Sequence, residues 1–327
     1  MQLFLNSAWR ELSEKSEVLN PFDGSVIDTV PVASPSEINA AIDGLAKGAK
    51  TMRQIPSYKR VEILRKTANL IREQKRELGL LISREEGKVL TESYIEVNRA
   101  AETFDLSADE ARRMNGETVP LDTTPSGVGK LGFTLRVPCG IVAAISPFNF
   151  PLNLVAHKVG PAIAGGNAVL LKPASDTPLS ALKLVEILLK SGLPEDAIAC
   201  VTGSGAKLGK AICKDSRIRK ISFTGSVEVG EQICSLAGLK RITMELGSNS
   251  PVIVLDDADP KKVAESLAIT GFSNAGQVCI SSQRIFATPK VHDDLLDSLS
   301  TEVGKLSAGN QLDEQFDIGP LIRENDA

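Results

Sequence analysis

From residue 139 to residue 247 the chain alternates short apolar runs with amphipathic stretches, and that rhythm leaves few folds open. The runs at 139–147 (CGIVAAISP), 167–173 (NAVLLKP), 197–203 (AIACVTG), 220–226 (KISFTGS) and 241–247 (RITMELG) have the length and residue types of strands. The stretches between them, at 153–166, 177–192, 207–215 and 227–238, read as helices, the second with Leu182, Val185, Leu188 and Leu189 turned inward. Such alternation predicts an α/β fold with a mostly parallel, Rossmann-like sheet and helices on both faces.

Upstream, residues 21–32 (PFDGSVIDTVPV) read as a short strand and turn around Asp23 and Gly24. Ser36 is the expected N-cap of a helix that carries Ile38, Ala41, Ile42 and Leu45. A second amphipathic helix is expected from about Tyr58 to Ile82, with Val61, Leu64, Ala68 and Ile71 on one face, and a third from Thr91 to Met114. Then the texture changes. Turn residues Pro125, Ser126 and Gly127 precede alternating Leu131, Phe133, Leu135 and Val137, the pattern of a protruding β-hairpin. Its strand edges invite pairing with another chain. The expected division is a dinucleotide-binding domain (1–117 and 139–247), a hairpin arm (118–138) and a further α/β segment (248–327).

Several functions are disfavoured. A net charge of −4, one Trp and two Tyr offer neither a basic surface nor a stacking platform for nucleic acid. The apolar runs are strand-sized, so no bilayer span is expected, and the first residues lack the basic-then-apolar order of a signal peptide. Five cysteines stand singly, with no CxxC pair, which argues against a disulfide framework and against a structural metal. A reducing cytoplasm is the expected setting.

Ligands of open α/β sheets bind at the carboxyl ends of the strands. Three loops lie there: 172–175 with Lys172 and Ser175, 202–205 leading on to Gly205 and Gly209, and 224–226 with Thr224, Gly225 and Ser226. Gly225 and Ser226 open a helix, where backbone N–H groups suit a pyrophosphate. The segment GSGAKLG is not a G-x-G-x-x-G fingerprint, because its third glycine comes one residue late. Each glycine alone reads equally well as a turn residue; three loops together favour a dinucleotide.

For chemistry, Cys279 stands beside the Gly276-Gln277 loop in SNAGQVCISSQR. A lone cysteine is more often a small core residue than a nucleophile. With only His157 and His292 in the chain, a carboxylate is the more natural proton acceptor for Cys279 chemistry than an imidazole. Glu245 is that candidate: emerging from a buried strand, it would be readied to accept a proton near neutrality. A surface or capping glutamate is the competing reading. Asn149, between Phe148 and Phe150 and followed by Pro151, is placed to donate its amide hydrogens to an oxyanion, or simply to form a turn.

With these residues the chain resembles the aldehyde dehydrogenase superfamily. The matching blocks are PFNFP (147–151), GPAIAGGNAVLLKPASDTP (160–178), ISFTGS (221–226), MELGSNSP (244–251) and NAGQVC (274–279), in family order and spacing. The resemblance implies a Cys279 thiolate that attacks an aldehyde, an oxyanion held by Asn149 and the Cys279 N–H, and a thioester hydrolysed by water that Glu245 activates. It implies NADP or NAD as hydride acceptor, held by Ser146, Pro147, Lys172, Ser175, Gly205, Gly209, Thr224, Gly225, Ser226, Leu246 and Gly247. Relatives that prefer NAD often carry glutamate at the position of Ser175; serine leaves room for a 2′-phosphate. Arg99, Phe150, Leu154, His157, Val278 and Ile280 align with the substrate channel, and Arg99 with His157 points to a small polar or anionic aldehyde. Arg99 is equally read as a solvated helix residue.

A homodimer or homotetramer joined through the hairpin is expected on the same ground. Family members continue for more than another hundred residues beyond the point where this sequence ends. The segment from 248 is accordingly expected to be an incomplete catalytic domain of marginal independent stability with unpaired sheet edges. The chain is read as part of a longer enzyme in preference to a truly short one. Two alternatives stay open: a CoA-acylating relative, in which CoA resolves the thioester and Glu245 is not needed, and a non-catalytic fragment acting as a binding or structural protein, whose thermal stability NADP would not change.

Overall fold

The computed structural model describes residues 1–326. Two short strands, β1 (Leu3–Leu5) and β2 (Ala8–Arg10), turn back on each other at Asn6 and Ser7, both at positive φ. A separate antiparallel ribbon, β3 (Lys15–Leu19) with β4 (Val26–Pro31), follows. Helices α1 (Pro35–Gln54), α2 (Ser57–Glu73), α3 (Lys75–Glu86) and α4 (Leu90–Arg112) come next. The cap of α1 is Ser34, not Ser36: Ser34 and Glu37 form a reciprocal capping box with Pro35 at the first helical position. The single helix expected over 58–82 is two, separated at Gln74. Gly87 closes α3 at φ 99°, a conformation that suits glycine and turns the chain so that Lys88 enters the interior.

The arm consists of β5 (Thr118–Val119) and β6 (Gly132–Phe133), paired antiparallel over only two residues a side. Pairing is shorter than the alternation suggests because two 3-10 turns fill the middle of the segment. Leu131, Phe133, Leu135 and Val137 are all exposed.

The remaining elements run β7 (Ile141–Ile145), α5 (Asn153–Ala164), β8 (Ala168–Lys172), α6 (Leu179–Lys190), β9 (Ile198–Cys200), α7 (Gly205–Lys214), β10 (Ile218–Gly225), α8 (Val227–Ala237) and β11 (Arg241–Leu246). A seven-stranded sheet has the order β11-β10-β7-β8-β9-β1-β2, parallel from β11 to β9, with β1 and β2 added antiparallel at one edge. Every residue of β7 and β8 is buried, as expected for strands covered on both faces. Period-2 alternation sends Val142, Ala144, Val169 and Leu171 into one core and Ile141, Ala143, Ala168 and Leu170 into the other. Because the chain runs outward from β7 through β8 to β9 and then crosses back to β10 on the other side of β7, the switch point of the sheet lies between β7 and β10. A crevice opens there at the carboxyl ends.

Beyond it, β12 (Pro251–Val254) and β13 (Arg284–Ala287) make a two-stranded parallel sheet packed on α9 (Pro260–Phe272) and α10 (Pro289–Val303). No helix among the described residues is long and apolar enough to cross a membrane.

Candidate active site

The carboxyl ends of β7, β8 and β10 border a cleft of about 730 Å³. Its walls include Ser146, Pro147, Asn149 and Leu154 from the β7–α5 side, Lys172 and Ser175 after β8, and Thr224, Gly225 and Ser226 after β10. Gly205, Leu246, Gly247, Val278 and Cys279 also line it. Gly209 does not: it lies one turn further along α7, away from the strand ends.

Cys279 is exposed in this cleft, which separates it from the core thiols. Burial pushes the Cys213 thiol up to about 11 and the Cys200 thiol higher still, so neither supplies a thiolate near neutrality. The turn leading to Cys279 is unusual. Asn274, Ala275 and Gly276 have φ of 50°, 55° and 77°, three successive left-handed residues. Asparagine and glycine tolerate that region; alanine at such φ is strained by roughly 1–2 kcal/mol, a feature that concentrates at functional sites. Asn149 Nδ2 donates to the Gln277 carbonyl at 2.7 Å, tying the loop after β7 to the loop of the thiol. The Cys279 N–H donates to no acceptor among the described residues, and neither does the second hydrogen of Asn149 Nδ2. Two N–H donors beside one thiol are what an oxyanion needs.

Glu245 departs from the expectation of burial. β11 is the edge strand of the sheet, and Arg241, Thr243 and Glu245 all face solvent while Ile242, Met244 and Leu246 are half-buried. Glu245 does not line the cleft, but its charge acts on His157 and Lys158. His157, on α5, is held below its ordinary value by desolvation and then by Arg99 and Lys158, with Glu245 opposing. Arg99 and Glu245 thus both act on the charge of His157, but none of the three lines the cleft, nor does Phe150, whose ring centre lies 5.8 Å from the Arg99 guanidinium. Ile280 points outward at 72% exposure.

Lys158 was not singled out in the sequence. It is buried, donates to Thr224 Oγ1 at 2.6 Å, and desolvation lowers its pKa to about 8 against the pull of Glu245. A lysine inside the otherwise apolar helix NLVAHKVGPAIA was the available signal. Lys172 Nζ, also lowered to about 8 by burial, donates to the Pro173 carbonyl.

The cleft fits a dinucleotide. The Ser146 Oγ is buried in its wall with no partner among the described residues. Ser226 caps α8 through Val229 N–H, and the N-terminus of that eleven-residue helix borders the cleft, a setting that suits an anion. A Cβ on Gly225 would meet the tip of the Phe223 ring at 2.5 Å, so any larger residue at that corner must displace the ring. Among the described residues no cluster of His, Cys, Asp and Glu could hold a metal.

The chain is similar to known proteins. A sequence model described as "Aldehyde dehydrogenase family" matches residues 9–327. A 3-sulfolactaldehyde dehydrogenase of Priestia aryabhattai is 42% identical over 325 residues, covering 99% of this chain and 68% of the relative. The succinate-semialdehyde dehydrogenase [NADP(+)] of Escherichia coli K12 is 37% identical, with 99% and 67% covered. Among solved structures, the NADP-dependent glyceraldehyde-3-phosphate dehydrogenase of Bacillus halodurans in complex with NADP superposes with a TM-score of 0.96 at 37% identity, covering 99% of this chain and 68% of that one. The chain thus spans about two thirds of the length of these relatives.

Proposed function

The chain belongs to the aldehyde dehydrogenase family, and from that premise we propose that it oxidises a small aldehyde carrying an anionic group to the acid, with NADP or NAD as oxidant. The observation that carries this reading is the meeting of an exposed thiol, its own unpaired N–H and the Asn149 amide on the cleft at the switch point. The three relatives named above act on sulfo-, carboxylate- and phosphate-bearing aldehydes by their names. Arg99 supplies a matching cation here, because the depressed His157 stays neutral near pH 7.

The Cys279 thiolate attacks the carbonyl carbon, and the charge that develops on oxygen is met by the Cys279 N–H and the free hydrogen of Asn149 Nδ2. NADP or NAD bound in the cleft would supply the two-electron acceptor. Gly225 and Ser226 would hold its pyrophosphate, Lys172 and Ser175 its adenosine ribose, and Ser146, Pro147, Leu246 and Gly247 its remaining length. Ser175 brings no charge against a 2′-phosphate. Glu245, which faces solvent outside the cleft wall, would turn its side chain toward Cys279 to take a proton from the water that hydrolyses the thioester, releasing acid and free thiol. Lys158, with its labile proton, lies within the reach of that charge. The exposed Leu131, Phe133, Leu135 and Val137 support a homo-oligomer formed through the arm, and a thiol that must stay reduced supports a cytoplasmic setting.

The test is an aldehyde panel read as kcat/KM with NAD and with NADP. Succinate semialdehyde and glyceraldehyde 3-phosphate should exceed apolar aldehydes of equal length by a few-fold, up to about 5-fold, as one charge pair with the exposed Arg99 allows. An apolar aldehyde as best substrate would refute the assignment to Arg99. Added CoA yielding an acyl-CoA with no free acid would refute the role of Glu245.

A further inference from the structure

Behind the cleft lies a charged cluster that the chemistry above does not use. Lys88, on the connection between α3 and α4, is 1% exposed. Its Nζ donates to Glu96 Oε2 at 2.8 Å and to the backbone carbonyl of Asn149 at 2.6 Å, and faces the Phe150 ring centre at 3.8 Å. Glu96 uses its other oxygen to accept the N–H groups of Leu152 and Asn153, the start of α5, which has no side-chain cap of its own. Glu86 Oε2 lies 3.9 Å from Lys88 Nζ, while its Oε1 accepts from Asn274 Nδ2 at 2.7 Å. Asn274 Nδ2 also reaches the Asn149 carbonyl at 3.4 Å. Glu92, in the first turn of α4, accepts from Ser273 Oγ and from the Asn274 N–H.

The cluster therefore grips both halves of the oxyanion site. One residue, Asn149, is held through its carbonyl by Lys88, and its amide is aimed by Gln277. The left-handed turn that sets the Cys279 N–H is held at Asn274 by Glu86 and Glu92. Burying an ammonium and two carboxylates is expensive, and apolar residues of equal volume often stabilise a fold as well or better. What they cannot do is fix a backbone carbonyl and a strained turn relative to each other within a few tenths of an ångström.

The geometry points to Lys88 and Asn274 as positioning residues that set the distance between the Asn149 amide and the Cys279 N–H, and so the strength of the oxyanion site. This rests on the assignment of Cys279 as nucleophile. Neither residue touches the substrate.

The test compares two reactions of one thiol. With 4-nitrophenyl acetate, the Cys279 sulfur bonds to the carbonyl carbon through an oxyanion, 4-nitrophenolate leaves, and water then converts the acetyl thioester to acetate and free thiol. With iodoacetamide, sulfur displaces iodide and no oxyanion forms. Lys88→Met and Asn274→Gly, the latter keeping the left-handed backbone cheap, should each lower kcat/KM for nitrophenolate release by about 10-fold or more, short of the ~10²–10³ lost with an oxyanion donor itself. Iodoacetamide alkylation of Cys279, followed by peptide mass, and the Kd for NADP should stay within about 2-fold. Ester cleavage unchanged in both variants would overturn the proposal. So would a parallel loss of both reactions and of NADP binding, which marks general loosening of the fold. Cys279→Ala separates the underlying premise: if it still releases nitrophenolate at the wild-type rate, the nucleophile assignment fails, whatever the Lys88 and Asn274 variants do.

Discussion

The seven-stranded sheet and the two-stranded sheet of β12 and β13 are both parallel, yet they are held in opposite ways. In the first, β7 and β8 are buried on both faces and the sheet is clamped between two apolar cores. In the second, Ile253, Leu255, Ile285 and Phe286 stay exposed, and the buried cluster behind the strands consists of Val254, Ala264, Leu267, Val291 and Leu295. What fastens the second region to the first is polar. Asn149 meets Gln277, Glu86 and Glu92 meet Asn274, Gln311 reaches Asn20, and Arg323 pairs with Asp176. Cys279 is thus brought to the cleft wall on directional tethers. Directional bonds fix angles as well as distances, which suits a thiol that must meet a cleft wall.

Removing apolar volume should expose this contrast most strongly. Leu171→Ala, fully buried on β8, should cost about 2–5 kcal/mol, whereas Ile253→Ala on β12, 72% exposed, should stay within about 0.5 kcal/mol. Urea unfolding measures both, and equal losses would break the comparison. Among polar contacts the same gradient should appear at smaller scale. Glu85 accepts the N–H groups of Leu179 and Ser180 and so caps α6 from a neighbouring helix, fully buried. Glu85→Ala should cost about 1–3 kcal/mol by orphaning those donors, and Arg323→Ala, which opens an exposed pair, no more than about 1 kcal/mol. A larger effect at Arg323 would show that the mouth of the cleft, not its back wall, holds the regions together.

The subtlest distinction is in pH. Burial pushes the carboxyls of Glu85 and Glu86 up to about 7 from 4.5, with Lys88 pulling Glu86 the other way. The folded chain thus keeps protons that the unfolded chain releases, so these groups make stability fall as pH rises from 4.5 to about 7. Glu86→Gln, which carries no titrating proton, should flatten that fall in melting temperatures taken across the window. An unchanged slope would mean that Glu86 is not a carboxyl carrying a strained charge.

The sequence disclosed these two regions unequally, for the same physical reason that they are built differently. Strands buried on both faces must be continuously apolar, so IVAAI and AVLLK declare themselves. The strands β1 and β2 escaped notice because three residues a side, turning at Asn6-Ser7, carry too little pattern. RITMEL did show its edge position, in the alternation of Arg241, Thr243 and Glu245 with apolar neighbours, and that alternation outweighs the apolar appearance that suggested a buried Glu245. Cys279, Asn149 and the 224–226 loop were legible as residue types in context. Lys88, Glu96 and Asn274 were not, because Lys88 and Glu96 read as solvated charges and Asn274 as a turn residue until the tertiary fold closes over them. The split of the helix expected over 58–82 at Gln74 belongs to the same class: nothing in the local composition marks it.

The central claim is that this thiol becomes covalently acylated in the cleft. Glu245→Gln should slow deacylation more than acylation, so mixing that variant with NADP and the best aldehyde of the panel, then quenching with acid, should trap the acyl group. Peptide mass spectrometry should find it on Cys279, and Cys279→Ala should neither trap the group nor turn over. An acyl group on another residue, or steady turnover by Cys279→Ala, would contradict the account.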